Sequence, residues 1–504
     1  MNVGYLLDNA AEKFPDRLAV VADQGRYSFS QLHQRCTKLA GAMLAAGLCR
    51  GQRVALLFFN GAPFVETYLA AVKVGLVATP INFRLVAGEV RFLLEDSQAA
   101  ALFHGPEFAP LVAEIRDQCP ALRLVVSPGG SGRTQDYESF LAAGTEEYPI
   151  PALTEQDQCQ IMYTSGTTGR PKGAVITHGN VLWNLVNTIL GREDKPDQVS
   201  VVVGPLYHTA ALNNHFTIQV ALGGTSVLIS KFDPAGLLAT IERERVNVIS
   251  GSPAFYQLLM QQPGAWEYDR SSITKCTAGA DKLLAETKRQ LMEFFPNIRG
   301  VYDVYGCTEA SPCITILSAL ESATKHGSVG RALPLTQVRL VDELDRPVPP
   351  GQVGELVCRG PNVMQGYHEQ PQASAEALQR GWLHTGDLAY VDEEGFYYIV
   401  DRKKDMIVSG GENIYPRELE EVLLTHPDIH DVAVVGQPDP LWGESVKAVL
   451  VRRPGSSLSE QEVVEFCRSR LASYKKPRLV EFVDELPRNP SGKVLKRQLR
   501  LNSQ

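Results

Sequence analysis

The stretch CQIMYTSGTTGRPKGAVITH, Cys159 to His178, breaks an apolar run with consecutive Ser, Thr and Gly residues and resumes through Arg170-Pro171-Lys172-Gly173. Backbone N–H groups freed by Gly166 and Gly169, with the hydroxyls of Thr164, Ser165, Thr167 and Thr168, suit an anion-binding concavity. Lys172 adds a point charge behind it. The spacing is not GxxxxGK[ST], so this is a phosphate cradle other than a Walker A loop. A flexible linker is the bland alternative. It is disfavoured because CQIMY before the run and GAVITHGNVLWNLV after it carry strand and then helix patterns.

Four further stretches carry chemistry-bearing side chains in order: YDVYGCTE (302–309), WLHTGD (382–387), DRKKDMIVSGGENIYP (401–416) and PRNPSGKVLK (487–496). Glu309 offers the oxygen that a hard cation prefers. Asp387, in HTGD, reads by itself as an ordinary turn aspartate. Lys493 lies in a Pro/Gly/Ser turn, where a lysine is ordinarily just solvated.

Together with the glycine loop, these motifs resemble the signatures of the adenylate-forming superfamily: acyl-CoA synthetases, aryl-CoA ligases, firefly luciferase and peptide-synthetase adenylation domains. The resemblance runs from residue 163 almost to the end of the chain. It implies an ATP-dependent acid–thiol ligase with ATP, Mg2+ and coenzyme A as cofactors. A carboxylate would attack the α-phosphate of ATP, expel pyrophosphate and form acyl-AMP, and the acyl group would then pass to the thiol. Bringing two anions together requires positioning and positive charge above all.

The resemblance also implies roles. Thr164, Ser165, Gly166, Thr167, Thr168, Gly169 and Lys172 would hold the β- and γ-phosphates. Gly279, Ala280, Asp303 and Tyr305 join the nucleotide site, with Tyr305 on adenine. Thr308 would lie near the α-phosphate, and Glu309, with Thr164, would hold Mg2+. Asp387 and Arg402 would bind ribose, and Lys404 would be the hinge. Lys493 would supply the charge for adenylation, then withdraw so that Gly410 and Gly411 let the pantetheine arm pass. YKKP (474–477) is a candidate for the CoA nucleotide.

For the acid, the resemblance implies His208, Ser252, Gly279, Val304 and Gly306 as the substrate-binding residues. Gly306 stands where acetate-specific relatives place a tryptophan, and Val304 brings no charge for a second carboxylate. A medium- or long-chain fatty acid is the leading expectation, with an aryl acid as alternative. An acyl-AMP ligase loading a carrier protein, a nucleotide-binding regulatory protein and a luciferase-like oxygenase are the other readings.

These residues need rigid elements behind them. Helical stripes at 63–74 and 235–245 alternate with the β-branched runs VSVVVG, TSVLIS and VNVIS, the pattern of an α/β protein with largely parallel sheets. Around 338–400 the texture turns to strands and tight turns. The last hundred residues read helix (416–425), strands (431–436 and 446–451), helix (459–472) and strand (479–483). The expected architecture is α/β: a large N-terminal domain (1–401) of α/β subdomains plus a β-rich subdomain, a hinge at 402–404, and a small mobile α+β C-terminal domain (405–504).

Bulk properties set limits. The chain has 504 residues, 44% hydrophobic and 21% charged, and a net charge of −8. That length exceeds one ordinary core, and an acidic balance argues against nucleic acid as a partner. Nine scattered cysteines without a CxxC pair read as reduced thiols, hence a cytoplasmic setting. The N-terminus lacks the pattern of a signal peptide. No 18-residue apolar run exists along the chain, and the best candidate, YLAAVKVGLVATPI, is interrupted by Lys73, so no transmembrane span is expected. Peripheral membrane contact and a homodimer stay open. The small-molecule partners expected are a carboxylic acid, ATP and CoA.

Overall fold

The structure is a computed structural model that describes residues 2–149, 152–164, 171–279, 281–409, 412–489 and 492–501. Two compact units emerge: Met1–Val338 with Cys358–His384, and Arg339–Val357 with Thr385–Gln504.

The first unit holds two large sheets. A nine-stranded sheet carries the parallel strands Leu18–Ala22, Thr225–Leu228, Val199–Val202, Val248–Gly251, Lys275–Gly279 and Val301–Gly306. The three β-branched runs picked out above are among them. An eight-stranded sheet places parallel strands at Arg53–Leu57, Val77–Pro80, Ala101–His104 and Leu124–Ser127 beside Gln158–Thr164. Parallel strands require crossovers, and helices such as Ala62–Lys73 and Pro234–Glu244 fill that role. The largest buried cluster draws Val20, Val202 and Leu228 from one sheet and Val54, Leu56, Ala78 and Met162 from the other. Both sheets thus share one apolar core.

We label the elements that carry the site in chain order: β1 (Gln158–Thr164), β2 (Lys172–Thr177), α1 (His178–Arg192), β3 (Val301–Gly306), β4 (Gly366–Tyr367), β5 (Trp382–Val391) and β6 (Tyr397–Arg402). Helix α1 begins where it does because Thr177 and Asn180 form a reciprocal capping box: Asn180 N–H donates to Thr177 Oγ1 at 3.1 Å, and Thr177 N–H to Asn180 Oδ1 at 2.9 Å.

In the second unit β5 and β6 pair in a five-stranded sheet with Gln337–Val341 and Gly354–Arg359. A separate five-stranded sheet is built on the long hairpin Ile429–Asp439/Gly443–Arg452, with Leu479–Phe482 parallel to its second strand. Helices Pro416–Leu424 and Glu460–Arg468 contribute Leu419, Leu423, Val463 and Cys467 to a core with Val434 and Leu450. The C-terminal helices and strands expected from the pattern are all present. Among the described residues no helix is long and apolar enough to cross a membrane. Lys73, which interrupts the apolar N-terminal stretch, is buried and ion-paired with Asp8 at 2.6 Å.

Candidate active site

The first unit carries the two ends of the phosphate-loop candidate. Strands β1 and β2 are antiparallel, and Thr164 and Lys172 are register partners at the ends that flank residues 165–171. The Thr164 hydroxyl stands 3.4 Å from the Lys172 carbonyl oxygen. Ser165, Gly166, Thr167, Thr168 and Gly169 lie outside the described residues, as do Ala280, Gly410 and Gly411.

A strap formed by residues 361–368 joins this hairpin to the turn that carries Glu309. On one side β4 pairs antiparallel with β2, Tyr367 opposite Ala174 and Gly366 opposite Val175. Gln365 N–H donates to the Val175 carbonyl at 3.0 Å and His368 N–H to that of Gly173 at 2.8 Å. The Asn180 amide, from the first turn of α1, donates to the carbonyls of Pro361 and Val363, both at 2.8 Å. On the other side Met364 N–H donates to the Glu309 carbonyl at 2.8 Å. The Asn362 amide donates to the carbonyls of Ala310 and Cys313, both at 2.9 Å, and accepts from the Thr336 hydroxyl at 3.1 Å.

Tyr367 therefore stands between two of the motifs. Its hydroxyl donates to Glu309 Oε1 at 2.8 Å, and Lys172 Nζ lies over its ring, 5.1 Å from the centroid. Burial, then the Glu309 charge, pushes the phenol well above the usual tyrosine range. Nothing in the sequence marked this residue, because a lone tyrosine in QGYH has no chemical signature.

The nucleotide and acyl candidates cluster on β3 and its neighbours. Asp303 is buried, whereas Val304 and Tyr305 are half-buried; Gly279 is the register partner of Val304 on the adjacent parallel strand. Val304 is packed against the cluster of Tyr302, Cys313, Ile316 and Leu333. A Cβ on Gly306 would meet the Pro312 carbonyl oxygen at 1.7 Å. That glycine has a backbone reason of its own, apart from any opening of the acyl pocket. Thr308 begins the 3-10 turn Thr308–Ala310 that carries Glu309. Ser252 caps the helix Pro253–Met260, its Oγ accepting from Phe255 N–H at 3.2 Å. His208 is exposed, not a core histidine, with its ring 4.4 Å from that of Tyr207.

The second unit gathers the ribose and hinge candidates. Asp387 and Arg402 are register partners on β5 and β6, and Arg402 Nε meets Asp387 Oδ1 at 2.7 Å. The carboxylate is buried while the guanidinium is exposed, so an acceptor is held rigid at the sheet face. Lost hydration, then the cations of Arg402, Lys493 and Arg500, holds the Lys404 ammonium below the usual lysine range against the opposing pull of Asp405. Lys493 is exposed on a tight turn: Asn489 N–H donates to its carbonyl at 2.8 Å, and its own N–H donates to Asn489 Oδ1 at 2.9 Å.

The same unit holds a cation–π pair that sequence reading did not mark. The Arg478 guanidinium sits 4.2 Å from the centroid of the partly exposed Trp442 ring. Within the neighbouring YKKP, Lys475 is ion-paired with Glu418 at 2.7 Å.

Residues 7–368 match the family model described as AMP-binding enzyme, and residues 418–493 match the AMP-binding enzyme C-terminal domain. The chain belongs to the AMP-binding enzymes. Within that family it is of the adenylate-forming acyl-CoA synthetase type, whose cofactors are ATP, Mg2+ and coenzyme A. It is 41% identical over 492 residues to a feruloyl-CoA synthase of Amycolatopsis sp., covering 97% of this chain and 96% of that one. It is 33% identical to a long-chain-fatty-acid–CoA ligase of Bacillus subtilis, covering 98% and 93%. Among solved structures, ATP-bound MatB from Rhodopseudomonas palustris superposes with a TM-score of 0.89 at 31% identity, covering 99% of both chains.

Mg2+ fits the residues present. Among the described residues no three His, Cys, Asp or Glu side chains cluster, but Mg2+ is ordinarily held by one or two carboxylates together with substrate phosphates. Glu309 supplies such a carboxylate, with one oxygen oriented by Tyr367. When bound, the ion would neutralise charge on the triphosphate.

Proposed function

We propose that this AMP-binding enzyme activates an aryl acid of the hydroxycinnamate class and transfers it to coenzyme A. The observation that carries the reading is the 41% identity to a feruloyl-CoA synthase across nearly the whole of both chains, against 33% for a fatty-acid ligase. The geometry agrees with it. Val304 is a branched side chain pinned by packing beside Gly279, which suits a flat ring better than a long unobstructed tunnel. The fatty-acid preference drawn from the sequence thus gives way to its aryl alternative.

In this reading Lys172 and the Thr164 end of the hairpin hold the β- and γ-phosphates. Asp387 accepts from the ribose hydroxyls, and Arg402, its ion-pair partner, is the second ribose contact. A carboxylate oxygen of the acid attacks the α-phosphorus, the bond to pyrophosphate breaks, and acyl-AMP forms. Lys493 supplies the cation that lets two anions meet, and His208 stands by the acyl carboxylate. Sulfur then attacks the acyl carbon and AMP departs with the bonding electrons. Rotation at Lys404 withdraws Lys493 for that second step. Trp442, held by Arg478, offers a purine base a stacking face, which supports a role for it, with YKKP, toward the CoA nucleotide.

Acid-dependent pyrophosphate exchange across ferulate, coumarate, benzoate, octanoate and palmitate tests the reading. Ferulate or coumarate should exceed the fatty acids in kcat/KM by at least ~10-fold, the scale on which apolar pockets discriminate. A fatty acid in first place would overturn the aryl assignment. Lys493→Ala should slow adenylation by roughly 10²–10³ while sparing thioester formation from preformed acyl-AMP. Trp442→Ala should do the reverse, raising the KM for CoA alone. Equal slowing of both half-reactions by Lys493→Ala would sink its assignment.

A further inference from the structure

We infer that Tyr367 is a positioning residue that keeps Lys172 and Glu309 from neutralising each other, so that each stays available to the triphosphate and its metal. The inference rests on the phosphate and metal roles proposed above for those two residues. Lys172 follows the glycine loop and Glu309 lies on a 3-10 turn far along the chain, yet one phenol touches both. Its hydroxyl donates to Glu309 Oε1 at 2.8 Å, and its ring lies under Lys172 Nζ at 5.1 Å from the centroid.

Opposite charges on either part of one half-buried side chain attract. A lysine ammonium is a compact charge on a flexible four-carbon stem. With the ring gone, that stem can swing to the carboxylate and form an ion pair. Such a pair would remove the cation from the phosphates and the oxygen from the metal together. The ring instead offers the ammonium a weaker, cation–π contact, while the hydroxyl satisfies one carboxylate oxygen with a charge-assisted bond and fixes its direction.

Tyr367 can hold this place because its backbone is fixed on both flanks. Its strand pairs with β2, the strand that starts at Lys172. Three residues earlier, Met364 N–H is bonded to the carbonyl of Glu309 itself. The strap therefore sets the distance between the loop lysine and the carboxylate, and the tyrosine occupies that interval.

The test is a double-substitution cycle on the full chain, read by calorimetric ATP binding with Mg2+ present and no acid added. Tyr367→Leu should weaken ATP binding by about 10-fold, an order of magnitude expected for losing one phosphate cation to an ion pair. In a Glu309→Gln background, where no carboxylate can capture Lys172, the same substitution should cost less than about 2-fold. Tyr367→Phe keeps the ring and removes the hydroxyl. It should leave ATP affinity near wild type and raise the Mg2+ concentration for half-maximal pyrophosphate exchange by roughly 3–10-fold, the loss of one orienting hydrogen bond.

An equal cost of Tyr367→Leu in both backgrounds would mean a structural role only and would overturn the inference. So would a Tyr367→Phe enzyme with unchanged Mg2+ requirement, and that arm decides the matter if the leucine variant does not fold. Lys172→Ala is the separate check on the underlying reading: undiminished ATP binding there would refute the phosphate role of the lysine, whatever Tyr367 does.

Discussion

Replacing Asn362 is the sharpest probe of the strap that unites the two motifs. The side chain is fully buried, at 0% exposure. It donates to two backbone carbonyls and accepts one hydroxyl. Asn362→Ala removes all three bonds in a place closed to bulk solvent. Each orphaned buried group costs roughly 1–3 kcal/mol. The total stays toward the lower end because Thr336 Oγ1 also accepts from the Asn187 amide at 3.0 Å and because the space vacated can admit a water. We expect a loss of about 3–5 kcal/mol. Asn362→Asp is the discriminating companion. It keeps the shape but, when ionised, turns oxygens toward carbonyl oxygens. Its folded pKa should therefore be raised, so the variant gains stability as pH falls through that value and loses it as pH rises. Urea unfolding followed by tryptophan fluorescence at pH 5.5 and 8 reads both effects, each unit being fitted as its own transition. Pyrophosphate exchange on the same samples reports whether Glu309 has shifted. An alanine variant within 1 kcal/mol (about the size of an ordinary surface change) would refute the strap, as would an aspartate variant whose deficit does not shrink in acid.

Two more outcomes follow from buried groups and close approaches. Burial lowers His178 to about 4 and, with help from the Arg192 cation, His215 to about 3. Below pH 6.5 the unfolded chain takes up protons that the folded histidines refuse, so stability falls as pH drops from 6.5 toward those values, by roughly 2 kcal/mol per histidine at pH 5. His215→Gln should flatten the slope of unfolding free energy between pH 7 and 5 by that amount; an unchanged slope would show that His215 does not titrate on unfolding. Gly306→Ala should cost about 2 kcal/mol or more, since its Cβ would lie 1.7 Å from a backbone oxygen, and should depress pyrophosphate exchange with every acid alike. A change confined to acid selectivity would instead return that glycine to the acyl pocket.

The sequence by itself determined the chemistry and the order of its parts. A phosphate loop needs glycines and hydroxyls close together in the chain, a hard cation needs a carboxylate, and alternating helical and β-branched stretches must build parallel sheets; such demands are local and leave local marks. It also placed Asp387 and Arg402 in separate motifs without showing that β5 and β6 set them as register partners. Only the tertiary structure decided how the motifs meet. The strap at 361–368 is held by backbone N–H groups and by the amides of Asn180 and Asn362, partners that no sequence pattern announces. Asn362 and Tyr367 matter through partners tens to nearly two hundred positions away. The reason is physical: a hydrogen bond is read from two atoms that approach, and the approach of distant segments belongs to the packed sheets, not to the order of residues along the chain.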